Sequence, residues 1–303
     1  MSHGVRQMLL STLLFALMNV CVKQIGHLPT LEIILARSVV SLVLSYWAVR
    51  RAHVSVWGSG ADRQSRWLLA SRGTTGALAL VLYFTTVQHL PLAVAVTLQY
   101  LSPIATALVG IWLLREPVRP VQWACFGVAF AGVLLTQFDH ATLPPHAMIW
   151  VLTGIGGAIV SGFSYVTIRR LRGREHPLVI VFWFPLIALP LGLIGTALHG
   201  VWPTPAEWGW LLLTGLFTQG AQVTMTKAYQ AEEVSKVAVL NYIGVLYAVA
   251  IGYGIFGEKL GVLTLGGLGL VLAGVVANVW TKVRHDRQAA NALTAEATVI
   301  EAA

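Results

Sequence analysis

The amino-acid sequence predicts an all-α membrane protein: ten transmembrane helices arranged as two inverted five-helix repeats. Three observations carry this. Apolar runs fill almost the whole chain, each near the roughly 20 residues that a helix needs to span the hydrocarbon of a bilayer. Hydrophobic residues make up 56% of the 303 and charged residues 11%, far from the balance of a soluble domain. The chain also matches itself when displaced by 142 residues.

The first repeat (1–138) holds spans near 7–24, 29–49, 66–88, 92–114 and 119–138. The first span has only a short basic lead and runs to Lys23 without a small-residue cleavage site, so it reads as a retained span and not a signal peptide. It carries Asn19 and Lys23; the second carries Arg37, the third Arg72 and Tyr83, the fourth Gln99, Tyr100 and Ser102. The second repeat (147–281) holds spans near 147–168, 177–198, 206–229, 234–256 and 262–281. Its sixth span carries Ser161, Ser164 and Tyr165, its eighth Gln219 and Gln222, its ninth Asn241 and Tyr242. Gly154, Gly156 and Gly157 superficially match a nucleotide fingerprint, but no strand precedes them. Gly127 with Ala131, and Gly269 with Ala273 and Ala277, form small-xxx-small stripes that let helices approach closely. They pack within the monomer or form a homodimer face, and the sequence leaves both open. Residues 285–303, rich in Ala, Thr and Glu, are expected to be a disordered cytoplasmic tail.

The net charge of +8 is explained by topology and not by a nucleic-acid partner. With both termini cytoplasmic, sixteen of the 20 Lys and Arg residues fall on the inner side, notably in the 50–66 and 169–176 loops. Lys23 and Lys259 fall outside, and Arg37 and Arg72 within spans. Tryptophans 47, 67, 112, 123, 150, 208 and 280 gather at span ends, as an aromatic belt does. A multi-pass protein of the inner (plasma) membrane is expected.

The displacement by 142 sets Leu98 on Leu240, Tyr100 on Tyr242, Gly110 on Gly252 and Glu116 on Glu258. It also sets Gly127 on Gly269 and Ala131-Gly132-Val133 on Ala273-Gly274-Val275. Five spans per half is odd, so the second half enters the membrane inverted. Inverted repeats build many secondary transporters, with the substrate near the midplane between the halves.

Arg72-Gly73 at the third span, Leu90-Pro91-Leu92-Ala93 before the fourth, and Leu98-Gln99-Tyr100-Leu101-Ser102-Pro103 followed by Glu116 resemble the EamA-type members of the drug/metabolite transporter superfamily. The second half keeps Leu240-Asn241-Tyr242 and Gly257-Glu258-Lys259. The resemblance covers roughly residues 7–281. Where the family often has a proline in the ninth span this chain reads Ile243-Gly244-Val245, so a break there rests on Gly244 or is absent. The resemblance implies that the first, third, fourth, sixth, eighth and ninth spans line a central cavity.

Polar residues within spans are costly in lipid and usually face a cavity or a partner helix. On those six spans the candidates for substrate binding are Asn19, Lys23, Arg72, Tyr83, Gln99, Tyr100, Ser164, Tyr165, Gln219, Gln222, Asn241 and Tyr242. Arg37, on the second span, is expected to bond helix ends. Lys23, Arg37 and Arg72 are basic, and no acid lies at mid-membrane. This suits a small anionic or zwitterionic, amino-acid-like metabolite, moved by alternating access as facilitator, exchanger or exporter. Export of apolar or aromatic compounds is the alternative, and a non-transporting structural or regulatory membrane protein an alternative of another class. The nine histidines are scattered and form no helix-spaced pair with each other or a carboxylate inside a span. No phosphate-binding loop or zinc spacing appears, and Cys21 and Cys125 form no ligand set. Neither an enzyme, a cofactor nor a metal is expected. The expected partners are a small-molecule substrate and the lipid bilayer.

Overall fold

The computed structural model describes residues 2–58, 63–90, 92–137, 147–256, 261–278 and 280–281, and every regular element among them is helical. The tail and the acid at position 258 lie outside the described residues. Ser2 caps α1 (His3–Gln24), its hydroxyl accepting from Val5 N–H at 3.4 Å. Next come α2 (Thr30–Arg51), α3 (Arg63–His89), α4 (Leu92–Gln99), α5 (Ser102–Leu114) and α6 (Pro120–Gln137). The second half holds α7 (Met148–Arg170), α8 (Pro177–His199), α9 (Pro205–Ala231), α10 (Val234–Ala238), a 3-10 turn (Val239–Tyr242), α11 (Ile243–Phe256) and α12 (Val262–Asn278). Pro177 and Pro205 sit at helix starts, where a missing N–H costs nothing. Thr204 and Glu207 form a reciprocal capping box on α9.

Among the described residues seven segments are long and apolar enough to cross a membrane: α1, α2, α3, α4 with α5, α7, α8, and α10 with α11. Helices α6 and α12 are apolar but shorter. The 27 residues of α9 give ~40 Å at 1.5 Å per residue, with a more polar sequence.

The principal contacts pair one helix from each half: α1 on α9, α3 on α7 and α2 on α8. The halves interlock instead of sitting side by side, so the largest buried cluster runs between them. One end of the bundle is basic. Arg50 and Arg51 end α2, Arg63 begins α3, and Arg169 and Arg170 end α7. Cross-links hold that end: Arg174 to Gln64 at 2.7 Å, and the Trp183 indole to the Val56 carbonyl at 3.1 Å. At the far end His27 meets Glu207 at 2.7 Å, Glu32 accepts from Val201 N–H at 2.9 Å, and His89 stacks on Trp150.

Two expected spans are broken near their middles. Proline 103 has no N–H to give the Gln99 carbonyl, and the chain turns through Tyr100 and Leu101 before α5 begins. The ninth span breaks without a proline, in the 3-10 turn at Val239–Tyr242 and not at Gly244. Gly244 has a different role. A Cβ there would lie 3.2 Å from the Tyr100 hydroxyl, so the glycine makes room for that ring.

The small residues of α6 and α12 divide between two faces. A Cβ at Gly127 or Gly269 would meet nothing within 4 Å. The close approach is made on another face, where a Cβ at Gly132 would lie 2.6 Å from the Gly267 carbonyl and one at Gly274 would lie 2.7 Å from Ala129 N. The glycine contact is therefore within the chain.

Candidate functional site

Arg72 on α3 organises the centre of the bundle. Its residue is 2% exposed. Nη1 donates to the Ser164 hydroxyl on α7 at 2.8 Å, and Nη2 donates to Gln222 Oε1 on α9 at 3.1 Å. Gly76, one turn along α3, leaves room for this side chain and for the Phe184 ring. The guanidinium carbon lies 5.2 Å from the centre of that ring, which comes from α8. Nε has no hydrogen-bond partner, and no carboxylate pairs with the guanidinium among the described residues. A buried cation held only by neutral groups is costly unless something neutralises it. Burial in this bundle therefore leaves Arg72 chemically equipped to hold an anion.

Two tyrosine pairs stack within the bundle. Tyr165 and Tyr229 stack with centroids 5.2 Å apart, and Asn241 donates to the Tyr229 hydroxyl at 3.3 Å. Tyr100 and Tyr242 stack at 6.0 Å across the two helix breaks, leaving the Tyr242 hydroxyl buried without a partner. Gln99 donates to Ser161 at 3.5 Å, and Tyr83 lies against Phe84. Arg72, Ser164 and Gln222 thus meet directly, Tyr165 and Tyr229 lie within electrostatic reach of Arg72 with Asn241 on the Tyr229 hydroxyl, and Gln99, Tyr100 and Tyr242 gather at the breaks. Gln219 turns instead to Ser45 on α2, at 2.7 Å, with its own Oε1 unpartnered. Asn19 and Lys23 lie towards the far end of α1, both exposed.

Sequence reasoning missed several members. Phe184 sits in an unbroken apolar run and gives no signal; Tyr229 and Ser45 gave only the weak one of a polar group in a span. Arg37 was expected to bond helix ends. Its guanidinium lies over the Phe184 ring at 5.8 Å instead.

The two ends of this site differ. Below the breaks, every residue of α10 is buried, and α10 packs on α5, α7, α9 and α1. Glu116, just beyond α5, locks that end. One oxygen accepts from Arg169 Nε at 3.0 Å and the other from Val234 N–H at 2.9 Å, while Arg169 Nη1 donates to the Gln230 carbonyl at 3.1 Å. Above the breaks, α4 and α11 make no comparable contact with one another among the described residues. Helix α1 records the same gradient. Val5, Met8, Thr12 and Ala16 are buried, while Asn19 and Lys23, on the same face at helical spacing, are exposed.

Residues 3–138 and 148–280 each match the EamA-like transporter family. The chain belongs to that family. It is a membrane transporter, and a multi-pass membrane protein. A curated relative, the pseudopaline exporter CntI of Pseudomonas aeruginosa, is 32% identical over 289 residues, covering 93% of this chain and 98% of its own. Human solute carrier family 35 member G1 is 24% identical, covering 93% and 79%. A riboflavin transporter of Rhizobium johnstonii is 27% identical, covering 74% of each. One solved crystal structure superposes with a TM-score of 0.81 at 20% identity, over 93% of this chain and 98% of that one, which shows the fold alone.

Proposed function

We propose that this EamA-family chain moves a small anionic or zwitterionic metabolite, amino-acid-like in its carboxylate and donor groups, by alternating access across the inner membrane. The observation that carries the reading is Arg72: buried, without a carboxylate partner among the described residues, and with Nε unpartnered. A substrate carboxylate completes its pairing, while Gln222, Asn241 and the tyrosines orient the rest of the molecule. The ten crossings form two inverted repeats, 1–138 and 147–281, with both termini cytoplasmic. One family matching each half separately supports the repeat. The asymmetry between the ends supports alternation. Under the 142-residue displacement the mate of the α5–α10 contact is an α11–α4 contact. The first is packed and the second is not. A pseudo-two-fold transporter closed at its basic end and open at the other has this form. With no mid-membrane acid, facilitated diffusion or exchange needs fewer assumptions than proton coupling.

Transport of aromatic cargo is the second reading. It is favoured by the aromatic pairs Tyr100–Tyr242 and Tyr165–Tyr229, and one relative is named a riboflavin transporter. Thermal stabilisation of the purified protein by free acids and by their methyl esters separates the two, since a ligand bound to the folded state raises its stability. Stabilisation by acids and not esters supports the first reading; equal stabilisation by both removes it.

A further inference from the structure

One buried guanidinium calls for one anionic group, but the bundle holds two. Arg37, on α2, is 8% exposed and also overlies Phe184. The distances of 5.8 and 5.2 Å to one ring centre put the two guanidinium carbons no more than ~11 Å apart. Neither has a carboxylate partner among the described residues, and Arg37 makes no hydrogen bond among them. The nearest acid along α2, Glu32, is spent on Val201 N–H.

Nor does Arg37 reach for the membrane surface. Gly195 faces Leu31 and Gly192 faces Leu35, so α2 and α8 run antiparallel and Arg37 is level with about residue 190. Phe184 lies about six residues, or ~9 Å, nearer the basic end. The side chain therefore extends into the bundle, away from the closer end of its own helix. A snorkelling arginine does the reverse. Two unneutralised cations sharing one ring repel each other where dielectric screening is weak, so each makes the other's burial worse.

We propose that Arg37 is a second anion-binding residue, and that the substrate carries at least two carboxylates, one for each guanidinium, with Phe184 holding the two guanidiniums in place. This rests on the reading that Arg72 receives a substrate carboxylate. A paired carboxylate carbon lies ~4 Å from the guanidinium carbon. At the ~11 Å limit a ligand need place its carboxylate carbons only ~3 Å apart to pair with both cations, so succinate or glutamate, lying beside the ring, reaches both.

The test uses the full chain in lipid nanodiscs and two probe pairs: succinate with monomethyl succinate, and glutamate with its γ-methyl ester. Binding is measured for the parent, Arg37→Gln, Arg37→Lys, Phe184→Leu and Arg72→Gln. The parent is expected to prefer each diacid over its monoester about tenfold or more, the scale of one charge-assisted bond. Arg37→Gln removes that preference; Arg37→Lys retains part of it; Phe184→Leu reduces it; Arg72→Gln weakens diacid and monoester alike. The inference is overturned if the parent does not distinguish diacid from monoester, if it binds neither succinate nor glutamate, or if Arg37→Gln and Phe184→Leu both keep the parent's preference. If Arg72→Gln still binds monoesters as the parent does, the earlier reading of Arg72 fails instead.

Discussion

Replacing Glu116 by Gln tests whether the basic end is a gate. The carboxylate holds Arg169 at 3.0 Å and the Val234 amide at 2.9 Å, joining the ends of α5 and α7 to the start of α10. Glutamine keeps one acceptor oxygen and loses the ion pair. Hydrogen bonds to charged groups contribute about 1.5–3 kcal/mol. The side chains are 12% and 21% exposed, so solvent screening trims this to the lower part of the range. A loss of about 2 kcal/mol from the closed state, with the open state unaffected, raises the open fraction roughly 30-fold. The assay is labelling of a cysteine at Val237, fully buried on α10, by an impermeant maleimide. The protein is held in nanodiscs, with Cys21 and Cys125 replaced by Ala. Labelling of the Glu116→Gln protein is expected to be at least tenfold faster, and Arg169→Met to act similarly. Combining the two should add little, because they remove one interaction. Unchanged labelling in both variants, with the helical content of the parent, would refute the gate.

Further expectations follow from the same contacts. Gln222→Leu, which removes an acceptor from Arg72, should weaken substrate binding by about tenfold, while Asn241→Leu should impair transport with insertion intact; normal transport by both, measured in proteoliposomes, would mean the site is misplaced. Gly132→Leu drives a side chain against the Gly267 backbone, and an overpacked contact of this kind costs about 1–3 kcal/mol, seen as a lower melting temperature; Gly127→Leu, facing open space, should melt as the parent does. A single cysteine at position 173 should resist impermeant reagents added to intact cells, because the proposed topology puts that basic loop in the cytoplasm; strong labelling there would invert the topology.

The all-helical, membrane-spanning character was legible in the sequence because its determinants are local. Long apolar runs, arginines at helix ends and Pro103 each declare themselves within a few residues. The second break was not, because the 3-10 turn at Val239–Tyr242 holds neither proline nor glycine to mark it. The site divides in the same way. Arg72, Gln222, Ser164, Tyr100, Tyr165 and Tyr242 stood out as polar groups in apolar spans. Which of them meet depends on interlocking of the halves, which a sequence does not display. Gln219 and Gln222 show the difference: three residues apart, they bond to α2 and α3 respectively. Arg37 was visible from the start, but only the position of Phe184 between α2 and α3 gives it a place beside Arg72.

The most direct measurement is transport in proteoliposomes. A carboxylic acid selected by thermal stabilisation is compared with its methyl ester, using the parent protein and Arg72→Met. The free acid is expected to enter through the parent well above protein-free vesicles, the ester poorly, and neither through Arg72→Met. Equal entry of acid and ester through both proteins would contradict a carboxylate held by Arg72, and no entry of any stabilising acid through the parent would contradict transport of such a substrate.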